Sequence, residues 1–443
     1  MKGISACREI KPYTGLFLFL TEKVKLMGLG DILRREFSFI TGNYRILIIS
    51  WVIMDVAMET PVPYYQPYVQ ALGGEQFPMA LGIIGLANFL AMAVVAFPGG
   101  YLADRYGRRW LISTMTFGLA FSFIFFALAP TWHFILIGTI IQGLCLIYQP
   151  ALFAMVQDSL PAERRGVGSS LIQMIHGTFN TPGPVIGGLV LLQFGLILGM
   201  RLIYFFVLVL YLIAAIWRLK LKETMTNSEP IRFRYFISSY PQAFKECCIN
   251  VWKTVPRSVL WLLSVQIIFM FANAQISVIN ALFAINTLGI PEELWWLAFI
   301  PLLVTMMAAS IPIGKMIDRI GPRIPLLIAP FAFASSALLF AHGNFVTVMI
   351  SMCLNGLVFL LLMSSAMTLT AELVEPENRG KVRGFLSFMG YIFTGVGMLL
   401  GNFFYDLWPQ LPFYVAIGLT VPMVIIILLK VRGTGAQALA KAD

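Results

Sequence analysis

Polar and apolar positions along this chain do not alternate with the short periods of a soluble helix or strand. Apolar residues instead run on for about 20 positions at a time, the length a helix needs to cross hydrocarbon. Twelve such runs are legible, at 44–70, 78–98, 110–130, 132–156, 167–192, 200–219, 257–287, 293–313, 323–341, 345–371, 383–404 and 410–430. The gaps between them are short except at 220–256, which parts the first six runs from the last six. The pattern predicts an all-α membrane protein with twelve transmembrane helices. Its expected organisation is a segment 1–43, a six-helix bundle 44–219, a linker 220–256, a six-helix bundle 257–430 and a tail 431–443. Leu16 to Leu20 is apolar but too short to span, and it predicts an interfacial helix in the N-terminal segment. Pro241 to Val255 predicts a second in the linker, with Phe244, Val251 and Trp252 toward the membrane.

The two sets of six runs are related. Gly100, Asp104, Arg105, Gly107 and Arg109 recur, 214 positions on, as Gly314, Asp318, Arg319, Gly321 and Arg323. The same offset carries Asp158, Glu163, Arg165 and Gly166 onto Glu372, Glu377, Arg379 and Gly380, and Gly183 and Gly187 onto Gly397 and Gly401. Separated segments sharing one offset mark an internal repeat, so the second half reads as a diverged parallel copy of the first.

Charge fixes the orientation. With the N-terminus in the cytoplasm, all but one of the 31 Lys and Arg residues fall on the inner side, Arg201 being the exception. Cytoplasmic loops favour Lys and Arg, so both termini are expected inside, in a multi-pass protein of the cell membrane. In a soluble protein the net charge of +10 would suggest nucleic acid; here its placement accounts for it, and no nucleic-acid partner is expected. Composition agrees: 59% of residues are hydrophobic and 12% charged, against roughly a quarter charged in soluble domains. That excludes a soluble enzyme and a disordered scaffold. Cys7, Cys145, Cys247, Cys248 and Cys353 show neither a disulfide framework nor metal-ligand spacing and read as small apolar residues.

Gly99-Gly100-Tyr-Leu-Ala-Asp104-Arg105-Tyr-Gly107-Arg108-Arg109 closely resembles the loop signature of the major facilitator superfamily, and its second copy lies at 314–323. The resemblance covers essentially the whole chain. It implies two six-helix bundles related by pseudo-two-fold symmetry that rock about a central site. Gly183-Pro184-Val-Ile-Gly187-Gly188 in the fifth run resembles an element of that superfamily's proton-coupled drug exporters. Those exporters also carry an arginine three residues before a Gln-Gly pair in the fourth span; here Gln142-Gly143 is present and Thr139 holds the arginine's place.

Ionisable groups inside hydrocarbon are costly and mark function. Entering the first span near residue 45 and rising 1.5 Å per residue, Asp55 comes out about 15 Å deep, with Glu59 one turn further on the same face. Two carboxylates so placed repel each other when both are ionised, and a carboxyl that takes up and releases a proton is what an antiporter needs; the pair could also bind a cation. His176, at similar depth in the fifth span, is a candidate partner, since the resemblance makes spans one and five neighbours. Gln142, Gln266 and Asn355 fall near the midplane, with Asn88, Gln149, Asn180, Asn273 and Gln275 less central. Amides at one depth suggest a substrate cavity, although each alone could simply join helices. Pro61, Pro63 and Pro67 kink the outer half of the first span, which adds Tyr64, Tyr65 and Gln66 as cavity residues, Tyr64 being taken as the candidate. Gly100, Asp104, Arg105, Arg109, Asp158, Asp318 and Arg319 are expected to gate the cytoplasmic side through ion pairs to inner helix ends.

These residues predict a secondary transporter: proton-coupled antiport exporting hydrophobic or cationic small molecules by alternating access. Its partners are the substrate, protons and the lipid bilayer, and the chain acts as a monomer without metal or cofactor. A proton symporter or uniporter for a metabolite, and a non-coupled lipid-handling protein, are the alternatives. No P-loop or nucleophile–base pairing points to an enzyme.

Overall fold

The computed structural model describes residues 39–96, 107–161, 182–225 and 255–431, with isolated positions at 99, 171, 172, 175, 241 and 245 and without the side chains of 376–381. Both expected interfacial helices lie outside or almost outside these residues. Among the described residues the chain is helical throughout, without strands. The elements are α1 (Gly42–Glu59), α2 (Tyr65–Val69), α3 (Ala80–Ala96), α4 (Arg108–Ala127), α5 (Trp132–Cys145), α6 (Gln149–Asp158), α7 (Pro182–Phe194) and α8 (Leu196–Arg218). They continue as α9 (Arg257–Ser277), α10 (Asn280–Leu282), α11 (Phe299–Ile320), α12 (Arg323–Ala341), α13 (Phe345–Leu373), α14 (Pro376–Leu407) and α15 (Leu411–Leu429). Ten stretches among the described residues are long and apolar enough to cross a membrane, and the shorter α3 and α7 are apolar too.

Helices are the natural product of such a sequence, because backbone groups in hydrocarbon must find partners within their own segment. Local signals set the ends. Asn344 and Thr347 form a capping box at the start of α13, and Pro376 begins α14, where its missing N–H costs nothing. Gly107 (φ 95°) precedes α4 and Gly321 (φ 78°) closes α11, left-handed backbone that favours glycine. These are equivalent positions of the repeat.

Among the described residues several spans are interrupted by short non-α turns, the first and the seventh among them. Gly42–Gly74 runs as α1, a 3₁₀ turn Val62–Tyr64, α2 and a π turn Gln70–Gly74, the break falling at Pro61 and Pro63 as the prolines predict. The seventh span, expected as one run over 257–287, breaks between Ser277 and Asn280 with no proline or glycine there. Helix–helix contact supplies what the sequence lacks. Gln66 Nε2 donates to the Ser277 carbonyl (2.7 Å), and the Ala281 N–H donates to Gln66 Oε1 (2.9 Å) and to Asn280 Oδ1 (2.7 Å). Backbone groups freed by the break are therefore satisfied by side chains, as hydrocarbon requires.

The ends of α2 and α10 lie at one pole of the molecule, here the tip; Gly42 and Arg218 lie at the opposite pole, the base. One apolar cluster unites Tyr68, Phe126 and Tyr204 with Phe283, Trp295, Phe340 and Phe413, so residues 42–218 and 257–429 share a core at the tip. Toward the base the second set has its own cluster, around Leu262, Phe333, Leu362 and Ile427. α3 and α14 lie side by side, with Phe89 and Tyr391 rings 6.1 Å apart. There Asn402 accepts from the Gly82 N–H (2.8 Å) and donates to the Pro78 carbonyl (2.8 Å). Phe205, Ile216, Ile311 and Val346 are among many large apolar side chains left exposed, a surface suited to lipid.

Candidate functional site

The break in the first span opens a cavity of ≈ 230 Å³. Met58, Pro61, Tyr65 and Gln66 form one wall, Asn88 and Phe89 of α3 another, with Phe123, Phe126, Thr139, Gln142 and Tyr204 closing it. A second cavity of ≈ 140 Å³ lies beside the break of the seventh span, lined among others by Asn273, Asn280, Ser336, Phe340, Ser351 and Asn355. The two correspond through the repeat. Val62, Gln66, Gly85, Asn88, Phe123 and Phe126 of the first match Ile276, Asn280, Phe299, Leu302, Ala337 and Phe340 of the second. Ser277 lines both. Between them Gln66 Nε2 donates to Asn280 Oδ1 (2.8 Å), a hydrogen bond between residues 214 apart.

The cavities differ in chemistry. The first is walled by aromatics and thioethers, with the buried Asn88 Oδ1 left without a hydrogen bond. In the second, the Ser336 and Ser351 hydroxyls are engaged with each other and with each other's carbonyls. A larger hollow of ≈ 520 Å³ between α9, α14 and α15 is apolar apart from Ser264, whose hydroxyl donates to Leu260. It offers nothing polar to orient a ligand.

Of the expected cavity residues, Gln142 lines the first space, and Asn273 and Asn355 meet in the second. Tyr64 does not: it is buried away from both, and Tyr65, the next residue, faces the cavity. Gln266 is buried within α9, Gln149 begins α6, and neither lines a cavity described above. Asn180 and His176 lie outside the described residues. Asp55 and Glu59 are half-buried on α1. Neither is among the side chains lining these cavities, although Met58 and Pro61 on either side of Glu59 are.

The Gly-Pro-x-x-Gly-Gly element has a visible purpose. A Cβ at Gly183 would stand 2.6 Å from Glu59 Cβ, one at Gly187 would collide with the Thr60 carbonyl, and one at Gly188 would meet the Trp296 ring at 2.5 Å. The glycines let α7 close on the end of α1 and on the start of the eighth span. In the second set a Cβ at Gly397 would press on Phe271 and Ala274, and one at Gly401 on Gln275, the equivalent contact between the eleventh and seventh spans.

At the base, Gly100, Asp104 and Arg105 lie outside the described residues. Asp158 pairs with Arg108 rather than with Arg109. Arg109 instead donates to the Leu219 carbonyl (3.2 Å) just past α8, and Arg323, its repeat equivalent, donates to the Leu428 carbonyl (2.8 Å) of α15. Both guanidinium groups thus engage free carbonyls at helix C-termini, where positive charge is favoured. Asp318 and Arg319 are exposed and make no hydrogen bond or ion pair among the described residues. Of the three first-span residues the sequence offered, Tyr65 and Gln66 line the cavity and Tyr64 does not; the buried Arg218 was missed, and Asn280 was findable, since it stands at the repeat offset from Gln66.

Comparison with known proteins gives a family match and more distant likenesses. The family model for the Major Facilitator Superfamily matches residues 47–309 and 267–442. Multidrug resistance protein MdtG of Escherichia coli O9:H4 (strain HS) is 24% identical over 300 residues, covering 64% of this chain and 69% of that protein. MdtG of Rahnella sp. (strain Y9602) is 25% identical over 306 residues, covering 66% and 69%. The crystal structure of the human organic anion transporter MFSD10 (TETRAN) superposes with TM-score 0.64 at 18% identity, covering 86% of this chain and 98% of that one. That of the nucleoside transporter NupG superposes with TM-score 0.62 at 13% identity, covering 87% and 100%. At such identities the structures speak to the fold alone.

Proposed function

This chain belongs to the major facilitator superfamily, and we propose that it is a proton-coupled antiporter exporting hydrophobic or cationic small molecules by alternating access. The observation that carries this reading is the pair of repeat-equivalent cavities divided by the Gln66–Asn280 hydrogen bond. Residues 44–219 and 257–430 act as two bundles of six helices joined by the 220–256 linker, in the cell membrane with both termini cytoplasmic. On that orientation the tip is the outer side. Its shared core, the contact of Gly188 with Trp296 and the amide bridge hold the outer side closed. Opening the bridge while the base closes would join the two cavities and turn them outward.

Three features support the substrate class and the coupling. The first cavity presents aromatic rings and Met58 and Met398 without fixed charge, surfaces that adapt to varied apolar ligands. The likeness to the MdtG multidrug resistance proteins points the same way. Asp55 and Glu59 sit one turn apart beside the hinge of the first span, so a proton gained or lost there acts on the helix that forms the cavity wall. The test is counterflow and gradient-driven transport in proteoliposomes across a ligand panel, comparing the wild type with Asp55→Asn and Glu59→Gln. Both variants are expected to lose proton-driven transport while at least one retains exchange. Gradient-driven transport unchanged in both would refute the coupling, and proton-driven uptake of a polar metabolite would replace export by symport.

A further inference from the structure

The apolar hollow of ≈ 520 Å³ between α9, α14 and α15 lies outside the transport route proposed above. Its floor is one stripe of α9: Leu260, Ser264, Ile267 and Phe271 recur at the three- and four-residue spacing that keeps side chains on one helix face. Phe385, Met389 and Phe393 of α14 form one wall, and Leu419 of α15 stands in the other. Met389 is nine residues from Met398, which lines the first cavity, and nine residues are two and a half turns of helix. The hollow and that cavity therefore lie on opposite sides of α14. Phe393 is exposed, so the hollow opens on the outside of the molecule as a groove.

Three features identify what fills it. The Ser264 hydroxyl is committed to the Leu260 carbonyl (3.0 Å), so a ligand's polar groups would lie in the groove unanswered, whereas a hydrocarbon chain has none. From Leu260 to Phe271 the floor climbs about 16 Å away from the base, which is the depth of one leaflet in a hydrocarbon core about 30 Å thick. The foot of the groove is basic. Arg257, exposed, stands one turn before Leu260 on the groove side of α9. Lys430, also exposed, follows the end of α15 eleven residues beyond Leu419, about three turns, and so on the same side of that helix. The Ser258 hydroxyl donates to the Lys430 carbonyl (3.4 Å), which brings these two helix ends together. Lys430 Nζ stands 5.9 Å from the centre of the exposed Trp261 ring, and tryptophan favours the membrane–water interface. Neither α9 nor α15 carries an acidic residue.

We propose that this groove seats one acyl chain of an anionic phospholipid from the base-side leaflet, with the lipid phosphate held by Arg257 and Lys430. Basic pockets between membrane helices suit such headgroups, and the apolar groove above this one supplies the seat for the chain. Nothing in this depends on the transported substrate or on proton coupling.

The test is native mass spectrometry of the purified full-length protein, titrated with dioleoyl phosphatidylglycerol or dioleoyl phosphatidylcholine. The wild type should hold one phosphatidylglycerol in clear preference to phosphatidylcholine, and Arg257→Gln with Lys430→Gln should weaken it by about fivefold for each cation removed. Ser264→Phe puts a ring into the groove and should abolish the tight site; Leu419→Phe, from the facing wall, replaces it if that variant does not fold. Arg45→Gln with Lys222→Gln removes exposed cations of the first bundle, away from the groove, and should bind as the wild type does. No retained phosphatidylglycerol, equal affinity for the two lipids, or a preference unchanged by Arg257→Gln with Lys430→Gln overturns the proposal. So does an equal loss in the Arg45→Gln/Lys222→Gln control, or full binding by the groove-filling variant that folds. Displacement of the lipid by millimolar inorganic phosphate would make this a site for the anion alone, and a dimer in place of a lipid-bound monomer would put a second copy in the groove; either result overturns it.

Discussion

Gln66 makes more of one side chain than any other residue at the centre of the molecule. Its amide answers a carbonyl and an N–H that the break in the seventh span sets free, and it joins Asn280 at the equivalent point of the other half. The bond joins two residues 214 positions apart, so it reports on how the segments that carry them are juxtaposed. Gln66→Leu would leave the Ser277 carbonyl and the Ala281 N–H without that partner, and stranded buried polar groups cost about 1–3 kcal/mol. The arrangement described here should lose population by that amount. A cysteine at Ser277, in a background lacking the five native cysteines, should then react faster with an externally added, membrane-impermeant maleimide; an unchanged rate would mean that the bridge does not hold the tip closed.

Among elements, the contact of α7 with the end of α1 has the least tolerance. At Gly187 the obstacle to a Cβ is the Thr60 carbonyl, which cannot swing aside as a side chain could. Gly187→Ala should destabilise the protein by about 1–3 kcal/mol, the usual cost of overpacking. Gly418, exposed on α15 with nothing within 4 Å of a Cβ, provides the control: its alanine variant should stay within about 0.5 kcal/mol of wild type. Unfolding midpoints of the two variants check the pair, and equal midpoints would show that α7 has room to retreat. The same contact sets Glu59 where helix movement is most constrained. Gly183→Ala should thus impair transport more than its effect on stability alone explains, read as activity per folded molecule.

For the molecule as a whole, the question is whether the two halves must part at the tip for transport to proceed. α3 and α14 meet there closely enough that a Cβ at Gly82 would lie 3.0 Å from Asn402 Cβ. Disulfides need Cβ atoms about 3.5–4.5 Å apart, a separation reached with a small shift. Gly82→Cys with Asn402→Cys, again without the native cysteines, should cross-link on mild oxidation. Transport should stop in the oxidised protein and return on reduction. Undiminished turnover with the link in place would exclude rocking about this contact.

Apolar runs, the internal repeat and the one-sided placement of basic residues are legible in the sequence alone, because each depends on local length, identity or charge and not on what a residue touches. α12 occupies 323–341 as read, and α13 and α15 end within two residues of expectation. Tertiary contact decided the rest. The seventh span breaks where no proline or glycine marks it, since the partner that satisfies its freed groups, Gln66, comes from another helix. Tyr65 faces the cavity and Tyr64 the core because the turn at Val62–Tyr64 resets the helix phase, which a depth count cannot follow. Arg218 looked like one more inner-end cation until α1 and α4 closed over it. A sequence specifies which groups enter the membrane; whether a charge there meets lipid, water or a hydroxyl is fixed only when helices distant in the chain come together.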